Sequence, residues 1–518
     1  MRDALSLTAI GVVVAIATSL WAVLVPGYTI WPDELGYVRG ATYVSQHGFL
    51  VPPGELYYTS ASQLLQVVMA PLQLVFGGEG SIRAAHGLFA LVIASSVAPG
   101  WLLARELGLS REASLLAAAL VTVTSWLSFA GTITTETLGW PLFLWALLAM
   151  VRALVRPSDG RDAVVLLAIG LAAFARIQFV VLAVVLVVAI ALEALAARRS
   201  SRRVVREHRV VLGVAALVVL VGLAGLAAGK IGSPLGAYRD VVDQSALGVD
   251  QVPFARDHLV YLLLATGVVP VILAGAWLVP ALRGARDRSR SAFAAVTVVL
   301  AVAVVAQVGV FGAGFLNGSV GGRYVFYLAV PAFLILLLCV EERGPGARAL
   351  ALSAAVAALI TATVDVDTLE TAVRAPEAGS GGPRSVDGSF LGVPHAGPLL
   401  ILAVVLAGGA AWLLVARFAA RTALALAGAA LLLLGAGSAA LRMHSILTEA
   451  RAKDVVAQQD WIDGTGVPPE SVALLLGPCP LWRRPSSRSR AMPSSTARRP
   501  RHGCFQKARA TTSASCKQ

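Results

Sequence analysis

The sequence predicts an all-α protein that crosses a membrane many times, and three observations predict it. Of its 518 residues 57% are hydrophobic and only 14% charged, with a mean hydropathy of +0.77, whereas a soluble domain carries about 25% charged residues. The apolar residues come in unbroken blocks of about 18 to 22, each long enough to cross roughly 30 Å of hydrocarbon as a helix. The alternation over about ten residues that marks a membrane β-barrel is missing. These features exclude a soluble enzyme, a secreted disulfide scaffold and an outer-membrane barrel. Cys339 sits in an apolar run, and Cys479, Cys504 and Cys516 lack the spacing of a metal or disulfide framework.

The first block, 6–26, follows Met1-Arg2-Asp3 and runs into Pro26-Gly27. It is longer than a signal-peptide core and reads as an uncleaved span. Further spans are predicted at about 81–104, 113–131, 138–155, 163–176, 179–197, 210–229, 258–280, 291–316, 324–341, 347–364, 398–416 and 422–441, about thirteen transmembrane helices in all. The block 163–197 is split because both flanks, 152–161 and 198–209, are strongly basic and belong on one side. Two short helices turning near Arg176-Ile177-Gln178 satisfy that. One set of loops, with Arg2, holds 20 basic residues, and the opposite loops up to 441 hold nine. The arginine-rich set is cytoplasmic, so the N-terminus is inside and the chain after 441 is extracytoplasmic, in a plasma-membrane protein.

The first outer loop, 27–80, contains an apolar segment, 61–76, in which Gln63, Gln66 and Gln73 fall within roughly 80° on a helical projection. That predicts an interfacial helix with one polar stripe. Residues 1–441 form the membrane module, and 442–478 begin an extracytoplasmic segment. Residues 479–518 form a basic low-complexity tail with ten Lys or Arg and no acid; it reads either as disordered or as the product of a frameshift. Without the tail the net charge falls from +13 to +3, so nucleic-acid binding does not follow from the charge.

Four polar clusters then fall at the outer ends of spans: Trp31-Pro32-Asp33-Glu34, Thr134-Thr135-Glu136, Arg176-Ile177-Gln178 and Gly322-Arg323-Tyr324. Each alone admits a plainer role. Asp33 and Glu34 are then loop acids, Glu136 a helix-start acid, Arg176 an interfacial anchor and Arg323 a snorkelling residue beside Tyr324 and Tyr327. Ionisable groups at membrane depth are costly and mark function, and their placement on one face predicts a joint site for an anionic substrate.

The acidic pair after the first span, the Pro52-Pro53 of the long outer loop and the helix ending in Phe76-Gly77-Gly78 resemble the polyprenyl-phosphate-dependent glycosyltransferases of the GT-C superfamily. So do Gly80-Ser81-Ile82-Arg83, Thr135-Glu136-Thr137-Leu138, Ala175-Arg176-Ile177-Gln178 and Gly322-Arg323-Tyr324 with Pro331. The protein O-mannosyltransferase and aminoarabinose transferase type is the nearest in pattern, over roughly residues 6–340. Relatives often carry His before the Pro-Pro, where this chain has Val51.

The resemblance implies a GT-C-like fold and transfer of a sugar from a polyprenyl-phosphate donor to a hydroxyl of a glycan, lipid or protein acceptor. It implies Asp33 as general base, with Glu34 and Glu136 orienting the acceptor. Asp33 and Glu136 would hold a divalent cation, Mg or Mn, if one is used. Arg176, Gln178, Arg323 and Tyr324 bind the donor phosphate, since an arginine fork matches phosphate geometry. Trp31, Tyr37, Tyr57 and Tyr58 stack on sugar. The competing expectations are a secondary transporter or flippase, a polymerase or ligase of lipid-linked polysaccharide, and a noncatalytic scaffold. The sequence shows neither the internal repeat nor the midplane charges of many transporters.

Overall fold

A computed structural model describes residues 2–24, 32–52, 62–123, 129–227, 251–283, 287–314, 322–342, 344–363, 389–390, 393–394, 422–433, 435–437 and 440, all within the unit Met1–Gln458. The segments 442–478 and 479–518 and the expected span 398–416 lie outside these residues. The regular elements described are helices apart from one two-residue antiparallel pair, Ser389–Phe390 with Val393–Pro394.

After α1 (Arg2–Leu24) comes α2 (Pro32–His47). Its sequence opens with proline, whose fixed φ suits the first position of a helix, and Asp33 and Glu34 follow in the first turn. Next come α3 (Leu64–Phe76), α4 (Gly78–Ala94), α5 (Val97–Glu106) and α6 (Arg111–Thr122). The Ser110 hydroxyl caps α6 by accepting from Ala113 N at 3.2 Å. The hairpin α7 (Glu136–Val155) and α8 (Asp159–Ala175) turns at Arg156–Ser158; Ser158 caps α8, with Asp159 and Asp162 in the first turn. Arg176 is extended, a 3-10 turn covers Ile177–Val180, and α9 (Val181–Ala196) returns, which is the split expected in 163–197. The chain continues through α10 (Ser201–Glu207), α11 (Arg209–Ala227), α12 (Val252–Ala265), α13 (Val269–Arg283), α14 (Arg288–Gly314), α15 (Gly322–Val325), α16 (Ala329–Glu341) and α17 (Ala347–Ala362).

Six helices among the described residues are long and apolar enough to cross a membrane: Asp3–Ala22, Gly80–Glu106, Glu136–Val155, Ile177–Ala196, Arg288–Phe311 and Arg323–Glu341. Counting the bent pairs α10–α11 (91°) and α12–α13 (111°) as one span each gives up to eight among the described residues; the expected count of about thirteen, part of which falls outside them, is not confirmed. The expected span 258–280 is broken at Thr266–Val268, where Gly267 and Val268 take positive φ (83° and 69°). In the expected span 113–131, α6 ends at Thr122 and 129–131 form a 3-10 turn. Leu64–Phe76, Ala347–Ala362 and Thr422–Gly437 are apolar but shorter.

Ion pairs sort the loops as the arginine count did. Arg111 pairs with Asp3, Arg152 and Arg156 with Glu106, Arg209 with Asp159, Arg199 with Glu193 and Glu207, and Arg290 with Glu342. Ser110 N donates to Glu341 at 3.1 Å, and the buried His208 Nδ1 lies 3.2 Å from Asp162 Oδ1. The arginine-rich loops therefore share one end of the helices. The Arg209 hydrogen bond holds the Asp159 carboxyl below its ordinary range.

At the other end the helices of the first outer loop pack onto the membrane module. Ala41, Leu65, Met69, Ile82, Phe89, Ile133, Leu138 and Ala175 form one buried cluster, with Tyr37 against it. Within α3 the polar stripe faces protein. The Gln63 amide clasps Val51, accepting from its N at 2.8 Å and donating to its O at 2.9 Å. Gln66 is buried so close to Gly40 that a Cβ there would lie 2.7 Å from Gln66 Cγ. Leu74, Val75 and Phe76 are exposed, so α3 also presents apolar residues outward at its C-terminal end.

In a version lacking Cys479, Cys504 and Cys516, single cysteines at the exposed Ser158 and Ser200 are expected to react with an impermeant maleimide from one side of the membrane. A cysteine at the exposed Phe49 is expected to react from the other. Labelling of all three from one side would refute the two-ended arrangement.

Candidate functional site

The hairpin α7–α8 builds the site by length. The 20 residues of α7 rise about 30 Å and α8 returns most of that distance at 1.5 Å per residue. The first residue of α7, Glu136, thus meets the residue that ends α8, Arg176. Both side chains are buried, at 2% and 7% exposure, and Arg176 Nη1 pairs with Glu136 Oε1. Arg323, from α15, brings its Nη1 within 3.7 Å of the same oxygen and is 17% exposed. Two guanidinium groups thus face one carboxylate.

Aromatic rings hold the two arginines. The Arg176 guanidinium lies 5.1 Å from the Tyr324 ring centre and 5.9 Å from that of Tyr327, and the Arg323 guanidinium 4.9 Å from Tyr324, within cation–π range. Tyr327 packs edge-on against Phe179 at 4.8 Å and lies 5.0 Å from Phe143 and 5.6 Å from Trp140. Trp140 Nε1 donates to Val121 O at 3.0 Å. The α7 backbone comes close to this cluster at Gly139, where a Cβ would lie 3.2 Å from Phe179.

The first outer loop is tied to the same place. Glu34 is buried and its Oε1 accepts from Ile133 N at 2.8 Å, just before Glu136 in the chain. Ser62 Oγ donates to Ala173 O at 2.6 Å, beside the end of α8. Gln307 Nε2 of α14 donates to Gln178 O at 3.2 Å, bracing the turn after Arg176.

The structure therefore brings together Glu136, Arg176, Arg323 and Tyr324, with Gln178 in the adjoining turn and Glu34 anchoring the first turn of α2. Asp33 occupies that turn, but its side chain, like Trp31, Tyr57 and Tyr58, lies outside the described residues. Tyr37 belongs to the packing between the loop helices and α4. Sequence reasoning assigned Tyr327 only to an aromatic belt; its three-residue offset from Tyr324, which puts both rings on one helical face, was the available signal. Among the described residues no group of three or more His, Cys, Asp and Glu is placed to hold a metal ion.

No family model and no curated protein matches the sequence. Among solved structures, the chain is similar to ArnT from Cupriavidus metallidurans bound to undecaprenyl phosphate, with 16% identity, 89% of this chain and 81% of that chain covered, and a TM-score of 0.52. It is also similar to the archaeal oligosaccharyltransferase AglB from Archaeoglobus fulgidus in complex with an inhibitory peptide and a dolichol-phosphate, with 14% identity, 81% and 56% covered, and a TM-score of 0.43. The likeness to ArnT is one of fold: the chain has the helical architecture of that structure.

Replacing Glu136 by Gln leaves Arg176 buried without its counter-charge, a change worth about 3–5 kcal/mol for a buried pair. The expected result is a clearly lowered thermal midpoint in detergent micelles. The double change Glu136→Gln with Arg176→Met is expected to recover part of the loss. An unchanged midpoint for Glu136→Gln would show that the pair does not hold the helix ends together.

Proposed function

We propose that the chain is a plasma-membrane glycosyltransferase. It moves a sugar from a polyprenyl-phosphate donor to a hydroxyl of a glycan, lipid or protein acceptor on the extracytoplasmic side, with inversion at the anomeric carbon. The observation that carries this reading is the gathering of two guanidinium groups, Arg176 and Arg323, on Glu136 at one end of the spans. Paired guanidinium groups in a buried site suit the phosphate of a membrane-borne donor, and arginine stays charged there.

Arg323, the more exposed arginine, takes the donor phosphate oxygens, with Tyr324 against its guanidinium. Arg176, held by Glu136 and the two tyrosines, is a positioning residue that adds its field. Glu34 fixes the first turn of α2 through Ile133 and so sets where Asp33 stands. Asp33 accepts the hydroxyl proton as the acceptor oxygen bonds to the anomeric carbon. The bond from that carbon to the phosphate oxygen breaks, and polyprenyl phosphate leaves with the electron pair.

The divalent ion implied by the resemblance does not fit the described carboxylates. Glu136 faces two guanidinium groups and Glu34 already accepts from a backbone N–H. A dication there meets positive charge, and no step is assigned to one.

With membranes and a radiolabelled polyprenyl-phosphate sugar, Asp33→Asn is expected to lower transfer by about a hundred- to ten-thousand-fold, the range for loss of a general base. Arg323→Ala is expected to raise the KM for the donor. Full transfer by Asp33→Asn would remove Asp33 from the reaction, and donor movement across the bilayer without transfer would favour the flippase. Transfer is expected to persist in EDTA; its loss, restored by Mg or Mn, would overturn the metal-free reading.

A further inference from the structure

At the end of the molecule away from Glu136, a cleft of about 470 Å³ opens between Trp101, Arg105, Glu106, Arg152, Val155 and Arg156. We propose that it is a binding site for the phosphate headgroup of an anionic phospholipid. Its charge is unbalanced. Arg152 and Arg156 share the single carboxylate of Glu106, and Arg105 donates to a neutral acceptor, Leu109 O. Three guanidinium groups against one carboxylate leave two positive charges at the rim.

The depth of the cleft favours a lipid. Glu106 ends one candidate span, Val155 ends a second, and Ser289, which also lines the cleft, is the second residue of a third. The arginines therefore stand where helix ends meet the headgroup layer. Trp101 and Val155 form an apolar wall on the side of the spans, where the glycerol and first methylenes of a lipid would lie, and tryptophan favours that depth. Basic pockets between spans on the arginine-rich side of a membrane suit anionic headgroups. The cleft is about 30 Å from Glu136, the length of α7, so it is separate from the proposed sugar-transfer site.

The test uses the full chain in nanodiscs of phosphatidylcholine with or without phosphatidylglycerol, reading retained lipid by native mass spectrometry after delipidation. The chain is expected to keep phosphatidylglycerol and lose phosphatidylcholine. Arg105→Gln with Arg156→Gln is expected to weaken retention about thirtyfold, from two arginines near an anionic surface. Arg156→Gln alone, at a side chain 57% exposed that leaves Arg152 on Glu106, guards against misfolding and is expected to weaken retention about fivefold. Equal retention of both lipids, or undiminished retention by the variants, would overturn the proposal. If inorganic phosphate alone displaces phosphatidylglycerol, the cleft is a site for free phosphate anions and the lipid assignment fails.

Discussion

One buried carboxylate organises the molecule. Glu136 and Arg176 could not remain charged in an apolar interior without each other, because removing an ion from water costs several kcal/mol even after relaxation. Their pairing fixes the register of α7 against α8, sets the break before α9 and gives Arg323 a place to stand. The aromatic cluster around Tyr327 then fills the space behind the arginines. Packing and charge thus support one geometry, in which local choices agree with the global fold.

The two ends of the helices are chemically unlike. At the arginine-rich end, acids are distributed so that each loop is stitched to a neighbour, mostly by partly exposed pairs that individually contribute little. At the other end, among the described residues, several polar groups are buried and linked to backbone: Glu34 to Ile133, Ser62 to Ala173, Gln63 to Val51. The first end resembles a solvated rim and the second a preorganised site.

The helical membrane class was legible because composition and block length report it directly. The turn at Arg176 was legible for another reason: two basic flanks force an even number of passes. That Glu136, Arg176 and Arg323 share an end also followed from loop charge, but their pairing did not, since it depends on helix lengths matching in space. The break at Thr266–Val268 stayed hidden because apolar residues continue on both sides of it. In α3 periodicity correctly put Gln63, Gln66 and Gln73 on one face. It carried no information on whether that face meets water or protein, and the structure turns it inward.

That inward turn has a kinetic consequence. With Leu74, Val75 and Phe76 facing out, the surface beside the outer loop is greasy, and the proposed donor, carried on an isoprenoid tail, would approach by lateral diffusion within a single leaflet. For such a donor the governing quantity is its mole fraction among the lipids. Turnover would then obey surface-dilution behaviour, slowing as inert lipid is added at constant total amounts of protein and donor.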